Sequence, residues 1–249
     1  MNFLVQGFNV LLYQPILNVL ILLYVALPGN DFGLAIILLT LLLRLVLFPI
    51  SRKALLNQRK LAMIQPKLRE IQSRTKDRAE QSKQIMALYQ QAKLNPLTAL
   101  LPQLLQLPIL IALYRAFWHG LNTEQLNLLY AFMPRPDVLH ASFLGLIDLN
   151  QPHLVLAILA SFMQYYQTKM LQVGTPLNKK TSKDGKPDFQ TILQKQSMYL
   201  LPLFTFTILL QFPSALALYW LTSSFFAIAE QKWLIKKLPI NDVATTSAN

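Results

Sequence analysis

Arg44 stands inside "LLLRLVLFPIS" (Leu41 to Ser51), directly after the apolar stretch "FGLAIILLTLLL". A guanidinium in hydrocarbon is costly unless it meets water or a partner, so an intramembrane cation is a functional suspect. Its chemistry there is that of a fixed positive charge, able to hold an acidic or polar segment in apolar surroundings. Thr40 lies four residues earlier and so shares its helical face. Three other stretches carry polar side chains at helical spacing. "LLPQLLQLP" places Gln103 and Gln106 three apart, and "SFMQYYQTKM" does the same for Ser161, Gln164 and Gln167. "LALYWLTSSFF" aligns Tyr219 with Ser223, and Trp220 with Ser223 and Ser224. Polar groups in lipid need partners or water. Four such stripes are best satisfied by converging on one hydrated interior, with Arg44 as its fixed charge.

Each feature also has a plainer reading. Arg44 is about seven residues from the inner end of its helix, about 10 Å at the helical rise, and can snorkel to the interface. Gln and Ser stripes often serve as interhelical glue. Tyr219 and Trp220 suit an interfacial aromatic belt.

A catalytic set is not found. HExxH and GxSxG are missing, as are glycine-rich phosphate loops, so neither metalloprotease nor acyl-transfer chemistry nor a nucleotide is expected. There is no intramembrane Asp or Glu pair; with Asp31 and Asp148 in loops, and no intramembrane carboxylate expected, a proton-coupled pump is disfavoured. The chain has no cysteine, which removes disulfides, thiolate metal sites and a cysteine nucleophile. His119, His140 and His153 are far apart in or beside one loop, a poor pattern for a metal. No cofactor and no enzymatic activity are expected.

The elements that must position these residues are membrane helices. The 249 residues are 53% hydrophobic and only 14% charged, and mean hydropathy is +0.36, too apolar for an ordinary soluble domain. About 20 apolar residues cross a bilayer. The expected organisation runs as follows: an outer-face interfacial helix in 1–31; a first span at 32–51; a cytoplasmic helical hairpin at 52–95; a second span at 96–118; an external loop at 119–151; and a third span at 152–171. A cytoplasmic loop at 172–196, two further spans at 197–212 and 213–234, and a cytoplasmic tail at 235–249 complete it. The stretch 8–28 is apolar enough to span, but Asn9, Gln14 and Asn18 interrupt it and no Lys or Arg flanks it. An interfacial position is favoured.

Charge orients the spans. The formal net charge is +12, and Lys and Arg concentrate in 52–93, 172–196 and the tail, while 1–31 has none and 119–151 only Arg135. Basic loops stay inside, which puts the N-terminus outside and the C-terminus in the cytoplasm. A basic n-region and a transit pattern are not evident at the N-terminus. Within 52–95, apolar residues recur at helical spacing on both sides of "SRTKD", which suits a turn. Pro66 is expected to kink the first hairpin helix. The hairpin is either a solvated basic face that fixes topology or a docking surface for anionic lipid, ribosome or an incoming chain.

"GLAIILLTLLLRLVLFPIS", "MIQPK" (63–67), "MALYQQAKLNPLTALLPQLLQLPILIALYRAF" (86–117), "FLGLIDL" (143–149) and "QFPSALALYWLTSS" (211–224) resemble, in order and over nearly the whole chain, the YidC/Oxa/Alb membrane-protein insertase family. The resemblance is to the bacterial five-span core without a large outer domain. It implies an all-α polytopic membrane protein in the bacterial inner membrane: five transmembrane helices around a hydrophilic groove open to the cytoplasm, an interfacial N-terminal helix and a cytoplasmic helical hairpin. By motif, Arg44, Gln106, Gln167 and Trp220 are groove residues; Thr40, Gln103 and Gln164 are added from helical spacing. Thr98, Ala99 and Leu100 replace small residues common in the family, and Ser223-Ser224 stands where Gly-Asn is common.

The resemblance implies a function in which client segments enter the groove and leave sideways into lipid. Expected partners are nascent or newly made membrane proteins and the bilayer, with the Sec translocon, the ribosome and signal recognition machinery as candidates; no specific nucleic acid is expected. A polar-lined channel or transporter is the alternative, and a scaffold that recruits cytoplasmic partners is a second.

Overall fold

In the computed structural model, residues 3–75, 77–95, 101–118, 127–136, 139–172 and 189–237 are described. Helix α1 (Phe3–Phe8) passes through a π turn at Asn9–Tyr13 into α2 (Gln14–Ala26). Then follow α3 (Phe32–Arg74), α4 (Arg78–Gln91), α5 (Leu101–Trp118), α6 (Leu154–Gln172), α7 (Phe189–Leu209) and α8 (Ser214–Lys237). Two short strands, β1 (Ser142–Phe143) and β2 (Ile147–Asp148), pair antiparallel between α5 and α6 and are the one departure from helix among the described elements. The residues placed in a first span and in the start of the hairpin form one 43-residue helix, which runs through both Pro49 and Pro66. Likewise α7 begins at Phe189, inside the segment read as a cytoplasmic loop.

The chain divides into two compact units. The first comprises residues 1–47, 103–165 and 201–226. Its core follows helical periodicity closely. On α2 and the preceding turn, Tyr13, Ile16, Leu17, Leu20, Ile21 and Tyr24 are buried; on α5, Ile109, Ala112, Leu113, Ala116 and Phe117 are. Both sets have the i, i+3, i+4, i+7 spacing of one face. Alanines at 112, 116, 157, 160, 215 and 217 are almost fully buried, and small residues let helix backbones approach closely. Phe32 joins two aromatic neighbours edge-on, Tyr24 at 5.9 Å and Phe117 at 6.1 Å between ring centroids.

The opposite faces are apolar too. On α3, Leu38, Leu42, Leu45 and Val46 are exposed; on α6, Leu154, Val155, Ile158, Leu159 and Phe162 are. Helices that are hydrophobic on both the packed and the outward face need an apolar solvent. Among the described residues, Val5–Ala26 and Phe32–Arg74 are long and apolar enough to cross a membrane, and Leu105–Phe117 and Met198–Leu209 are shorter apolar helices.

The polar residues that interrupt the N-terminal stretch have defined protein partners. Asn18 Nδ2 and Gln14 Nε2 both donate to the Leu128 carbonyl, at 3.3 and 2.9 Å, and Asn18 Oδ1 accepts from the Tyr130 N–H at 2.8 Å. Asn9 Oδ1 accepts from Arg115 Nη1 at 2.6 Å, and the same guanidinium lies 4.6 Å from the Tyr13 ring centre. These side chains pin the loop before β1, and α5 itself, to the N-terminal helix. Their polarity is therefore explained by packing within the unit.

The second unit comprises residues 48–102, 166–200 and 227–249. Here α3 continues to Arg74, and α4 starts behind Asp77, whose Oδ1 accepts from the Ala79 N–H at 3.1 Å. Gln81 Nε2 reaches back to the Gln72 and Thr75 carbonyls at 3.1 and 3.3 Å. α4 has no buried residue, so hydrogen bonds and the cap position this helix start. Asp77→Ala is expected to cost about 1 kcal/mol of local stability, the usual value of an N-cap. Amide exchange at Ala79 and Gln81 should then rise with little change in α5.

Candidate functional site

Three helices of the first unit bring polar side chains to one place. From α3, Arg44 Nε donates to Ser223 Oγ of α8 at 2.9 Å, and its Nη2 donates to the same oxygen. Gln106 of α5 donates from Nε2 to the Tyr219 hydroxyl of α8, and the same nitrogen lies 3.5 Å from Ser223 Oγ. A serine oxygen has two lone pairs. With Arg44 engaging it twice, the Gln106 amide finds its better acceptor at Tyr219. Arg44 is half-buried, while Tyr219 and Ser223 are buried. The local reason is plain: Tyr219 and Ser223 are four apart and so stack on one face of α8.

The arrangement supplies a cation, an amide and two hydroxyls among leucines and alanines. A hydroxyl is a neutral acceptor, so the Ser223 bonds orient the guanidinium without cancelling its charge. No nucleophile–base pair is present in this set. What the set offers is hydrogen-bond donors and a positive charge, the chemistry that orients polar or anionic groups.

The other expected residues fall differently. Thr40 is buried, and its hydroxyl donates to the Ile36 carbonyl of its own helix at 2.6 Å. Ser161 does the same to Ala157 at 2.8 Å. Such back-bonds satisfy a hydroxyl locally, so neither hydroxyl needs a partner on another helix. Gln164 is buried in the first unit; Gln167, three residues on, belongs to the second and is half-buried. Trp220 is half-buried and packs against the apolar core. Gln103 is on α5, and its side chain lies outside the described residues. Tyr219 and Ser223, aligned by their spacing as one of the four polar stripes but not named among the groove residues, are the hydrogen-bond partners of Gln106 and Arg44.

One expectation is corrected. The last apolar segment, 213–234, does contain a carboxylate: Glu230 is buried in the second unit and its Oε1 accepts from Ser51 Oγ at 2.5 Å. Phe48 and Trp233 pack edge-on nearby in sequence, 5.9 Å between centroids. A hydrogen-bonded, buried carboxylate of this kind is tolerated because it has a donor. Among the described residues, no group of three or more His, Cys, Asp or Glu could hold a metal.

Comparison with known proteins adds to this geometry. The model of a family described as 60Kd inner membrane protein matches residues 23–241. A Histophilus somni (strain 2336) protein named membrane protein insertase YidC is 36% identical over 210 residues, covering 83% of this chain and 33% of that protein. A protein of the same name from Pasteurella multocida (strain Pm70) is 34% identical, with 84% and 34% covered. Another, from Francisella tularensis subsp. novicida (strain U112), is 32% identical, with 85% and 33% covered. The chain thus spans about a third of the length of the curated relatives it matches.

Proposed function

The chain belongs to the 60Kd inner membrane protein family, that of the YidC proteins, and from that premise we propose that it is a membrane protein insertase. The observation that carries the reading is the Arg44–Ser223 and Gln106–Tyr219 cluster, polar and cationic in otherwise apolar helices. In this reading the spans are those at 32–51, 96–118, 152–171, 197–212 and 213–234, with 8–28 at the outer interface. They enclose a hydrated groove that opens to the cytoplasm and to lipid.

The chemistry is transfer, not reaction. A client's polar outer tail must cross hydrocarbon, and each unpaired polar group costs free energy there. Arg44, Gln106 and Tyr219 replace part of the lost hydration partway across. Acidic tails gain most, because a guanidinium hydrogen-bonds carboxylates strongly. The client's apolar segment then leaves sideways into lipid, driven by its own hydrophobicity. Newly made membrane proteins are the clients and the bilayer is the acceptor; the Sec translocon, the ribosome and signal recognition machinery are the partners to test.

The test uses purified protein in liposomes. A small single-span client with a short acidic N-terminal tail is added, and protease protection reports tail translocation. Protection well above that in empty liposomes is the expected result. Failure across a range of such clients, together with ion or solute flux through the protein, would replace the insertase with a channel.

A further inference from the structure

In the connection between α5 and α6, the described hairpin at residues 142–148 is firmly held yet turns apolar side chains outward. Strands β1 and β2 pair Ser142 with Asp148 and Phe143 with Ile147. The turn between them is closed by the Leu146 N–H on the Phe143 carbonyl at 3.0 Å. Its central residues, Leu144 and Gly145, have φ of 53° and 68°. This mirror-image turn favours Asn, Asp or Gly at both places, and a leucine there is strained. That leucine is also exposed: Leu144 is 59% and Leu146 85% accessible, and Phe132, earlier in the same connection, is 80% accessible. Residues 143–147, "FLGLI", carry no charge.

The hairpin is fastened to two helix starts. Asp31 Oδ2 accepts from the Leu144 N–H at 2.5 Å, while its Oδ1 caps α3 by accepting from Leu34 at 2.8 Å. Phe143 lies against Gly33 so closely that a Cβ there would come within 2.6 Å of the phenylalanine Cβ. At the start of α8, Ser214 Oγ donates to the Asp148 carbonyl at 3.0 Å, and the Ala215 N–H donates to Leu149 at 3.1 Å.

We propose that the tip Leu144-Gly145-Leu146 is a membrane-surface anchor, whose partner is the boundary between phospholipid headgroups and acyl chains. Three observations favour lipid over a protein partner. The tip is fixed to the first residues of α3 and α8, where membrane helices meet the bilayer surface. The chain leaving the hairpin enters α6, whose outward side chains are apolar from its first residue, Leu154. The N–H groups of both leucines are bonded within the protein, so immersion strands neither donor. The anchor holds the outer ends of α3 and α8 at a set depth. It rests on the chain's being a membrane protein and not on the insertase reading.

The absence of cysteine makes the test direct. Leu146→Cys, Phe132→Cys and Asn150→Cys are each spin-labelled in the full chain, reconstituted in phosphatidylethanolamine–phosphatidylglycerol vesicles. Collision rates with oxygen, which favours lipid, and with a water-soluble nickel chelate are compared. The label at 146 should favour oxygen over the chelate several-fold relative to the label at 150, and the label at 132 should fall on the same side. A label at 146 that the chelate reaches as well as at 150 would overturn the anchor in favour of water. A label that neither reagent reaches would overturn it in favour of protein cover, by a second copy or another chain. The label at 132 gives an independent reading if substitution at the turn disturbs the hairpin.

Discussion

Arg44→Ala is expected to lower client insertion in liposomes by roughly tenfold to a hundredfold. The substitution removes the hydrogen bonds that a client's polar tail would make to the guanidinium. Hydrogen bonds to a charged group contribute about 1.5–3 kcal/mol, and each 1.36 kcal/mol off a barrier is tenfold in rate. The effect should depend on the client. Acidic tails should lose most, and tails with reversed charge should insert poorly even into liposomes holding the unaltered protein. Arg44→Lys keeps the charge but not the planar fork that engages one oxygen from two nitrogens, so it should recover part of the rate. Ser223→Ala removes the orienting oxygen and should cost less than Arg44→Ala, because the cation remains. Equal insertion by Arg44→Ala and the unaltered protein, at matched reconstitution, would make Arg44 a snorkelling anchor.

Gly33→Val is expected to be the most damaging change around the β1–β2 hairpin of the first unit. A Cβ at residue 33 meets Phe143 Cδ2, Cβ and Cγ at 2.3–2.6 Å. The Phe143 Cβ is bound to the backbone of a paired strand, so it cannot swing aside. Overpacking of this kind typically costs 1–3 kcal/mol, and here it also strains the Asp31 bonds that cap α3. The measurement is the thermal transition in detergent, which should fall for Gly33→Val. Phe143→Ala should fall modestly by itself through lost packing. The double variant should be less impaired than the sum, since removing the ring removes the clash; contacting residues are where additivity fails. An unchanged transition in Gly33→Val would show that the hairpin shifts freely, and would weaken the case for a fixed tip.

Much of the architecture is local and so legible in one dimension. Apolar spacing at Tyr13 through Tyr24 and at Ile109 through Phe117 names the packed faces directly, because a helix repeats every 3.6 residues. The turn expected at "SRTKD" falls between the end of α3 at Arg74 and the start of α4 at Arg78. The polarity of Asn9, Gln14 and Asn18 was visible but its cause was not. Each is matched to a group more than a hundred residues away, at Leu128, Tyr130 or Arg115, and no local pattern carries that pairing. The continuity of α3 through residue 51 was hidden because the change from apolar to basic composition reads as a boundary, although nothing in Ser51-Arg52-Lys53 breaks a helix.

The sequence by itself determined that this is an apolar, helical membrane protein with a cation among leucines, and its motifs pointed to the family. Those properties depend on composition and on spacing within one helix. Only the tertiary structure decided which polar groups meet. Arg44 reaches Ser223, and Ser51 reaches Glu230, each across 179 residues. It also decided that Thr40 and Ser161 turn back on their own helices while Tyr219 becomes the acceptor for Gln106. A hydroxyl four residues from a carbonyl can always bond locally. Whether it does depends on what another helix offers, and that is set by packing.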